Sequence, residues 1–167
     1  TAGFASISQS GLTNGSKLLA CMLMIVGGSP AGTAGGIKTT TVAVLLLTAI
    51  SVLRGNKDTE CYGRKITFEI IRVGITITLV TFVFWLFGVT VMTVIEPQQK
   101  VLDLMFEATS AMATVGLTAD LTPVLSDISH VVLMLMMYIG RIGPMTMALI
   151  FSGHVDKKNQ FRTLPEA

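Results

Sequence analysis

The chain has 167 residues, of which 51% are hydrophobic and 13% are charged, and its formal net charge is +2. Soluble domains carry about 25% charged residues, so a fraction this low favours a lipid environment. The small net charge and the lack of a continuous basic stripe argue against nucleic-acid binding. Two cysteines, Cys21 and Cys61, are too few for a disulfide framework or a zinc site.

The first four residues form a motif rather than a recognisable start. They are Thr1, Ala2, Gly3 and Phe4, with neither an initiator methionine nor a signal peptide. Because a similar turn recurs later inside a complete helical unit, we expect further repeats of the same polypeptide upstream. A short apolar helix is expected directly before Thr1.

An apolar region at 17–53 predicts a membrane helix that is broken near its middle. The break at 27–36 contains five glycines and a proline, which no continuous helix tolerates. It begins about 15 Å along the helix from Lys17, near the centre of a bilayer. Unwound helix at that depth is typical of a binding site or a gate, and the candidate gate residues are Gly27, Gly28, Ser29, Pro30, Gly32, Gly35, Gly36 and Lys38.

The basic residues predict the orientation in the membrane. Loop 54–72 holds five of them and tail 154–167 holds three, whereas 96–130 holds one lysine against five acidic residues. We therefore expect the loop and the tail on the cytoplasmic side and 96–130 on the outer side. The loop charges either fix topology and meet anionic lipid or bind a cytosolic partner, and both interpretations stay open.

Residues 73–153 predict one complete unit of helix, re-entrant helix, turn and helix. Segment 73–95 has 23 uncharged residues, enough to cross about 30 Å of hydrocarbon. Segment 101–113 is helical in pattern but only about 20 Å long, so we expect it to enter the membrane and turn back. The last helix, 131–153, contains one charge, Arg141.

An internal repeat relates the two ends of the chain. A shift of 113 residues aligns 1–4 with 114–117 and Gly27 with Gly140, where Gly-Arg-Ile-Gly-Pro predicts a second helix break. In both copies 24 residues separate the glycine of the turn from the glycine of the break. The sequence thus predicts about one and a half helix–pore-loop–helix repeats.

The two turns are predicted to form part of an ion filter. Glycine permits backbone dihedrals that point carbonyls inward, and a ring of carbonyls can replace the hydration shell of a cation. A single Thr-x-Gly match would favour a hairpin that merely packs between helices. Two copies at the same distance from a helix break favour the filter, whose candidate residues are Thr1, Ala2, Gly3, Phe4, Thr114, Val115, Gly116 and Leu117.

Arg141 is the charged residue predicted deepest in the membrane. Such a charge is costly and normally faces protein or water. We expect its five donors to bind carbonyls freed at the break 27–36 and so to latch that loop beneath the turn. A packing role elsewhere is the alternative.

Enzymatic chemistry finds little support. A phosphate-binding loop needs glycine directly before lysine, whereas Ile37 separates Gly36 from Lys38. His130 and His154 flank the last predicted helix at opposite ends, which leaves neither in place as a base for Ser29. We expect no catalytic residue and no organic cofactor.

These motifs, in this order, resemble the Trk/Ktr/HKT superfamily of potassium transporters, most closely its bacterial membrane subunits of the KtrB and TrkH type. The matching stretches are residues 1–4, the glycine-rich segment 27–41, 114–117 and 140–144. The resemblance implies an all-α membrane protein of four helix–pore-loop–helix repeats around a pseudo-fourfold pore. This chain would hold the end of the third repeat (1–53), a cytoplasmic loop and the fourth repeat.

The resemblance also implies a function: potassium uptake across the bacterial inner membrane, through a single-glycine filter closed by an intramembrane loop. It implies sodium as a coupling or activating ion, a homodimer and a cytosolic nucleotide-binding ring. The filter glycines Gly3 and Gly116 favour potassium over sodium as the permeant ion. A secondary transporter with a midplane site for a small solute, and a subunit that has lost conduction, remain alternatives.

Overall fold

The computed structural model describes residues 2–29, 34–55, 58–61 and 64–143. Within them the chain is mostly helical, as expected, with one short β-hairpin. The elements in chain order are a 3₁₀ turn at Gln9–Gly11, α1 (Asn14–Ile25), α2 (Thr39–Leu53), β1 (Glu60–Cys61), β2 (Arg64–Lys65), α3 (Phe68–Ile95), α4 (Val101–Met112), a 3₁₀ turn at Thr122–Val124 and α5 (Asp127–Ile142). Thr1, Pro30, Gly32, His154, the distal half of the predicted last helix and the tail 154–167 lie outside the described residues.

The glycine-rich segment separates α1 from α2. Ile37 returns beside the end of α1, where its N–H donates to the Ile25 carbonyl at 3.1 Å and its carbonyl accepts from Gly27 N–H at 2.7 Å. Thr39 N–H then donates to the Gly28 carbonyl at 3.2 Å. These bonds occupy backbone groups that the helix break frees. The described residues on either side of 30–33 are therefore held against the end of α1.

Helix α3 is the one helix within the described ranges that is both long and apolar enough to cross a membrane. It spans 28 residues, whereas the apolar helices α1 and α2 have 12 and 15. It begins at Phe68, five residues before the predicted start at Val73, so it includes Arg72. A prediction based only on the length of the uncharged segment misses such a start, because a helix can continue beyond the hydrocarbon into a polar first turn.

Helix α5 also begins before its predicted start, at Asp127 instead of residue 131. Glu96, at the end of α3, accepts from Ser126 N–H at 2.8 Å and from the Ser129 hydroxyl at 3.0 Å. These bonds lower the pKa of Glu96, with the Ser126 contribution largest. Glu96 therefore helps to hold the start of α5, whose N-cap residue is Ser126, from 30 residues away.

Helix α4 lies at the centre of the fold. One buried cluster joins it to α3 and α5 through residues such as Met92, Leu104 and Met136. A second cluster joins it to α1 through Phe106 and Cys21. Helix α4, which was predicted to be re-entrant, is thus the element against which α1, α3 and α5 pack.

The loop 54–72 contains the β-hairpin, which the all-α expectation did not include. Glu60 pairs with Lys65 and Cys61 with Arg64. The Ser51 hydroxyl of α2 donates to the Asp58 carbonyl at 2.7 Å, and Lys65 forms an ion pair with the Asp58 carboxylate at 2.6 Å. These contacts join the described residues of the loop to the end of α2 and to each other.

Candidate ion-conducting site

The 113-residue shift relates the two copies in structure as well as in sequence. Under this shift the 3₁₀ turn Gln9–Gly11 corresponds to Thr122–Val124, and the start of α1 at Asn14 corresponds to the start of α5 at Asp127. Gly3 and Gly116 both have left-handed φ values, +70° and +86°. Two segments of low sequence identity therefore follow the same path from turn to inner helix.

The two glycine turns touch each other. A Cβ placed on Gly3 would lie 3.0 Å from the Gly116 carbonyl oxygen, and one placed on Gly116 would lie 3.2 Å from Gly3 Cα. No side chain can stand between backbones this close. Phe4, next to Gly3, is 93% exposed, whereas Leu117 is half-buried. The structure thus brings together the described parts of the two predicted filter segments.

The C-terminus of α4 runs directly into the second turn. Val115 N–H donates to the Ser110 carbonyl at 2.9 Å and Thr114 N–H to the Ala111 carbonyl at 3.1 Å. This pair of bonds is the Schellman motif, which needs a left-handed residue at the position of Thr114. Thr114 has φ +53°, a conformation that is strained for a β-branched side chain. Strain of this kind concentrates at functional sites, where the surroundings must hold it in place.

Glu107 of α4 anchors the segment that follows the second turn. Its side chain is buried, and it accepts from the Thr118 hydroxyl, from Ala119 N–H at 3.0 Å and from the Thr122 hydroxyl at 3.0 Å. All three partners donate, which suits a carboxylate acceptor. These bonds join residues 11–15 positions apart and were not predictable from spacing.

We expect Glu107→Ala to lower the free energy of unfolding by about 3 kcal/mol, because it leaves buried donors without an acceptor. Glu107→Gln should cost less, since the amide oxygen can keep the bonds to Thr118 and Ala119. Thermal unfolding of the whole protein in detergent measures both. Glu60→Ala, which removes an exposed carboxylate from the hairpin, is the matched control and should be neutral. Equal losses for the alanine variants would contradict the anchoring role.

The described part of the glycine-rich loop (27–29 and 34–36) contacts the start of the second turn (114–117). Gly35 N–H donates to the Thr114 hydroxyl oxygen at 2.8 Å. A Cβ on Gly35 would lie 2.9 Å from that oxygen, and one on Gly27 would lie 2.1 Å from the Gly35 carbonyl oxygen. Lys38 donates to the Ala34 carbonyl at 2.6 Å and so closes the loop on itself. Glycine is needed at 27 and 35 for this close approach.

Gly140 brings α5 against the end of α4. A Cβ at this position would lie 1.9 Å from the Met112 carbonyl oxygen, two residues before Thr114. Arg141 follows in the last turn of α5, and Gly143, with φ +88°, ends the helix. Arg141 lines a groove of about 740 Å³ together with Thr114. The latch between Arg141 and the glycine-rich loop stays a prediction. Thr114 contacts that loop through the N–H of Gly35.

Lys17 and Asp103 form an ion pair that the sequence did not reveal. Lys17 of α1 lies 2.6 Å from Asp103 in the first turn of α4, with side chains 7% and 20% exposed. The pair joins α1 to α4. Because 86 residues separate the partners, the spacing of the two residues does not predict the ion pair. The one sign of it in the sequence is a lysine in an otherwise apolar helix.

The comparisons with known proteins agree with these motifs. The sequence model of the TrkH family, described as a cation transport protein, matches residues 1–162. The chain is 37% identical to Ktr system potassium uptake protein B of Bacillus subtilis over 91% of its length, and 33% identical to the protein of the same name in Vibrio alginolyticus over the same share. It is 37% identical, over 91% of its length, to the potassium/sodium uptake protein NtpJ of Enterococcus hirae.

These matches cover 34%, 33% and 34% of the three relatives, so the chain spans about a third of their length. The family match extends over nearly the whole chain and includes both glycine turns and both helix breaks. It confirms the resemblance drawn from the motifs. The chain belongs to the TrkH family of cation transport proteins.

Proposed function

We propose that this chain supplies two of the four parts of a potassium filter, together with the intramembrane loop that gates it. The contact between the left-handed turns at Gly3 and Gly116 carries the proposal. Main-chain carbonyls that converge at one place can replace the water around a cation. The filter comprises residues 1–4 and 114–117, and the remaining parts come from other repeats of the whole protein.

A face of α5 that is exposed within the described residues supports the four-repeat arrangement. In α1, Lys17, Cys21 and Met24 are buried, and Lys17 and Cys21 lie against α4. The 113-residue shift carries Cys21 to Met134 and Met24 to Met137, which are 58% and 47% exposed. By the same packing, this face of α5 receives the short helix of another repeat. An upstream repeat of the same polypeptide is the proposed occupant.

Potassium is the proposed permeant ion. Relatives over 91% of the chain are named potassium uptake proteins, and one is named a potassium/sodium uptake protein. Sodium therefore enters the proposal as a coupling or activating ion, with sodium as the main permeant ion being the alternative. No covalent chemistry is part of the proposed mechanism.

The proposed location is the bacterial inner membrane, with the loop 54–72 on the cytoplasmic side. The hairpin within that loop carries Arg64 and Lys65 at the end of α2. A homodimer and a cytosolic nucleotide-binding ring are the proposed partners, the hairpin being a candidate contact for the ring.

Gly116→Ser tests the filter assignment. Serine at φ +86° is strained and would place its Cβ 3.2 Å from Gly3 Cα, so we expect at least about a tenfold loss of potassium-over-sodium selectivity. Flux of each ion into liposomes that contain the whole protein provides the measurement. Gly11→Ser is the matched control, because nothing lies within 4 Å of its Cβ position. Wild-type selectivity in Gly116→Ser would contradict the filter assignment.

A further inference from the structure

Asp120 connects the segment after the first turn to the segment after the second. Its carboxylate accepts from the hydroxyl of Ser8 and, at 2.8 Å, from that of Ser10. Both bonds go to the same oxygen, Oδ2, across 112 and 110 residues of sequence. All three residues are exposed, so burial of apolar surface does not account for the contact.

A further hydrogen bond, to Thr118, holds the Asp120 backbone in an unusual left-handed conformation. Its φ is +63°, and its N–H donates to the Thr118 hydroxyl at 3.1 Å. Thr118 in turn donates to Glu107 of α4. A continuous set of hydrogen bonds thus runs from the short helix of one repeat through Asp120 to the serines of the other.

This set of bonds lies beside the two glycines. A cavity of about 200 Å³ is lined by Gly3, Gly116, Thr118 and Asp120, among others. Functional atoms must be held within about 0.5 Å by the residues that support them. Gly3 lies five residues before Ser8, and Gly116 lies four residues before Asp120. The bonds of Asp120 to Ser8 and Ser10, here called the clamp, therefore fix the separation of the two turns close to the point where they touch.

We propose that Asp120 is a positioning residue for ion selectivity, which acts by clamping the post-turn segments of two successive repeats together through Ser8 and Ser10. This inference rests on the proposed filter. The serine hydroxyls, Ser8 first, lower the pKa of Asp120 and so favour the ionised acceptor. The clamp depends on the acceptor oxygen, and the charge is secondary.

The test uses the whole protein in liposomes and measures the potassium-over-sodium flux ratio. Asp120→Ala and the double variant Ser8→Ala/Ser10→Ala should each lower the ratio by up to about tenfold, the scale of one hydrogen bond. The triple variant should lose no more than either, because all three residues act through one contact. Asp120→Asn should stay within about twofold of wild type, since its amide oxygen can accept from both serines.

Asp127→Ala is the matched control, because it removes an exposed carboxylate from the same region outside the clamp. Three results would overturn the inference: an unchanged ratio in Asp120→Ala, a loss in Asp120→Asn as large as in Asp120→Ala, or losses that multiply in the triple variant. A wild-type protein without potassium selectivity would overturn the proposed filter itself. Flux that is selective in wild type and in every clamp variant would overturn only the role of Asp120.

Discussion

Gly140→Ala is expected to abolish potassium flux and to lower the free energy of unfolding by at least about 3 kcal/mol. The added methyl group would lie 1.9 Å from the Met112 carbonyl oxygen and 2.8 Å from its carbonyl carbon. Backbone atoms cannot rotate away as a flexible side chain can, so α5 must move from α4. Because Met112 directly precedes the turn at 113–114, this movement displaces the proposed filter.

Gly15→Ala provides the control for this prediction. Gly15 is also a helical glycine, in α1, but nothing lies within 4 Å of its Cβ position. Alanine there should raise the free energy of unfolding by about 0.5 kcal/mol, from the entropy of the unfolded chain. Thermal unfolding in detergent and ion flux in liposomes measure both variants. Normal stability and flux in Gly140→Ala would show that α5 does not pack closely against the end of α4.

Gly27→Ala is expected to raise potassium flux, in contrast to Gly140→Ala. Its methyl group would lie 2.1 Å from the Gly35 carbonyl oxygen and 3.2 Å from that of Ile37. The glycine-rich loop could then no longer fold back on the end of α1, and Gly35 would lose its bond to Thr114. If this loop closes the pore, basal potassium flux should rise several-fold.

The matched control is Gly74→Ala in α3, whose methyl group would make an ordinary contact at 3.5 Å with Thr41. Both variants are measured as basal flux through the membrane protein without any regulatory partner. A rise in Gly27→Ala alone supports the gate. Unchanged or reduced flux in a folded Gly27→Ala protein would remove the glycine-rich loop from the gating mechanism.

Much of the architecture was predictable because it depends on local composition. Glycine and proline at 27–36 cannot continue a helix, and α1 and α2 indeed end and begin on either side of that segment. The short helix was expected at 101–113 and lies at Val101–Met112. The internal repeat predicted which residues occupy equivalent positions, and Gly3 and Gly116 have matching φ signs.

The residues missed in the sequence act across long separations. Asp103 forms an ion pair with Lys17, from which 86 residues separate it. Asp120 resembled an ordinary loop carboxylate until its serine partners were seen. Polar pairs of this kind follow no period, so a pattern search cannot find them. The helix starts at Phe68 and Asp127 were placed too late for a related reason, because polar first turns do not look like membrane helix.

Anomalous diffraction from the whole protein, crystallised with thallium(I) as a potassium surrogate, tests the account most directly. We expect a peak on the pore axis, bounded by carbonyl oxygens from both 1–4 and 114–117. Its height should fall when potassium competes. A peak coordinated by only one of the two turns, a peak elsewhere in the protein, or no competable peak would contradict a shared filter.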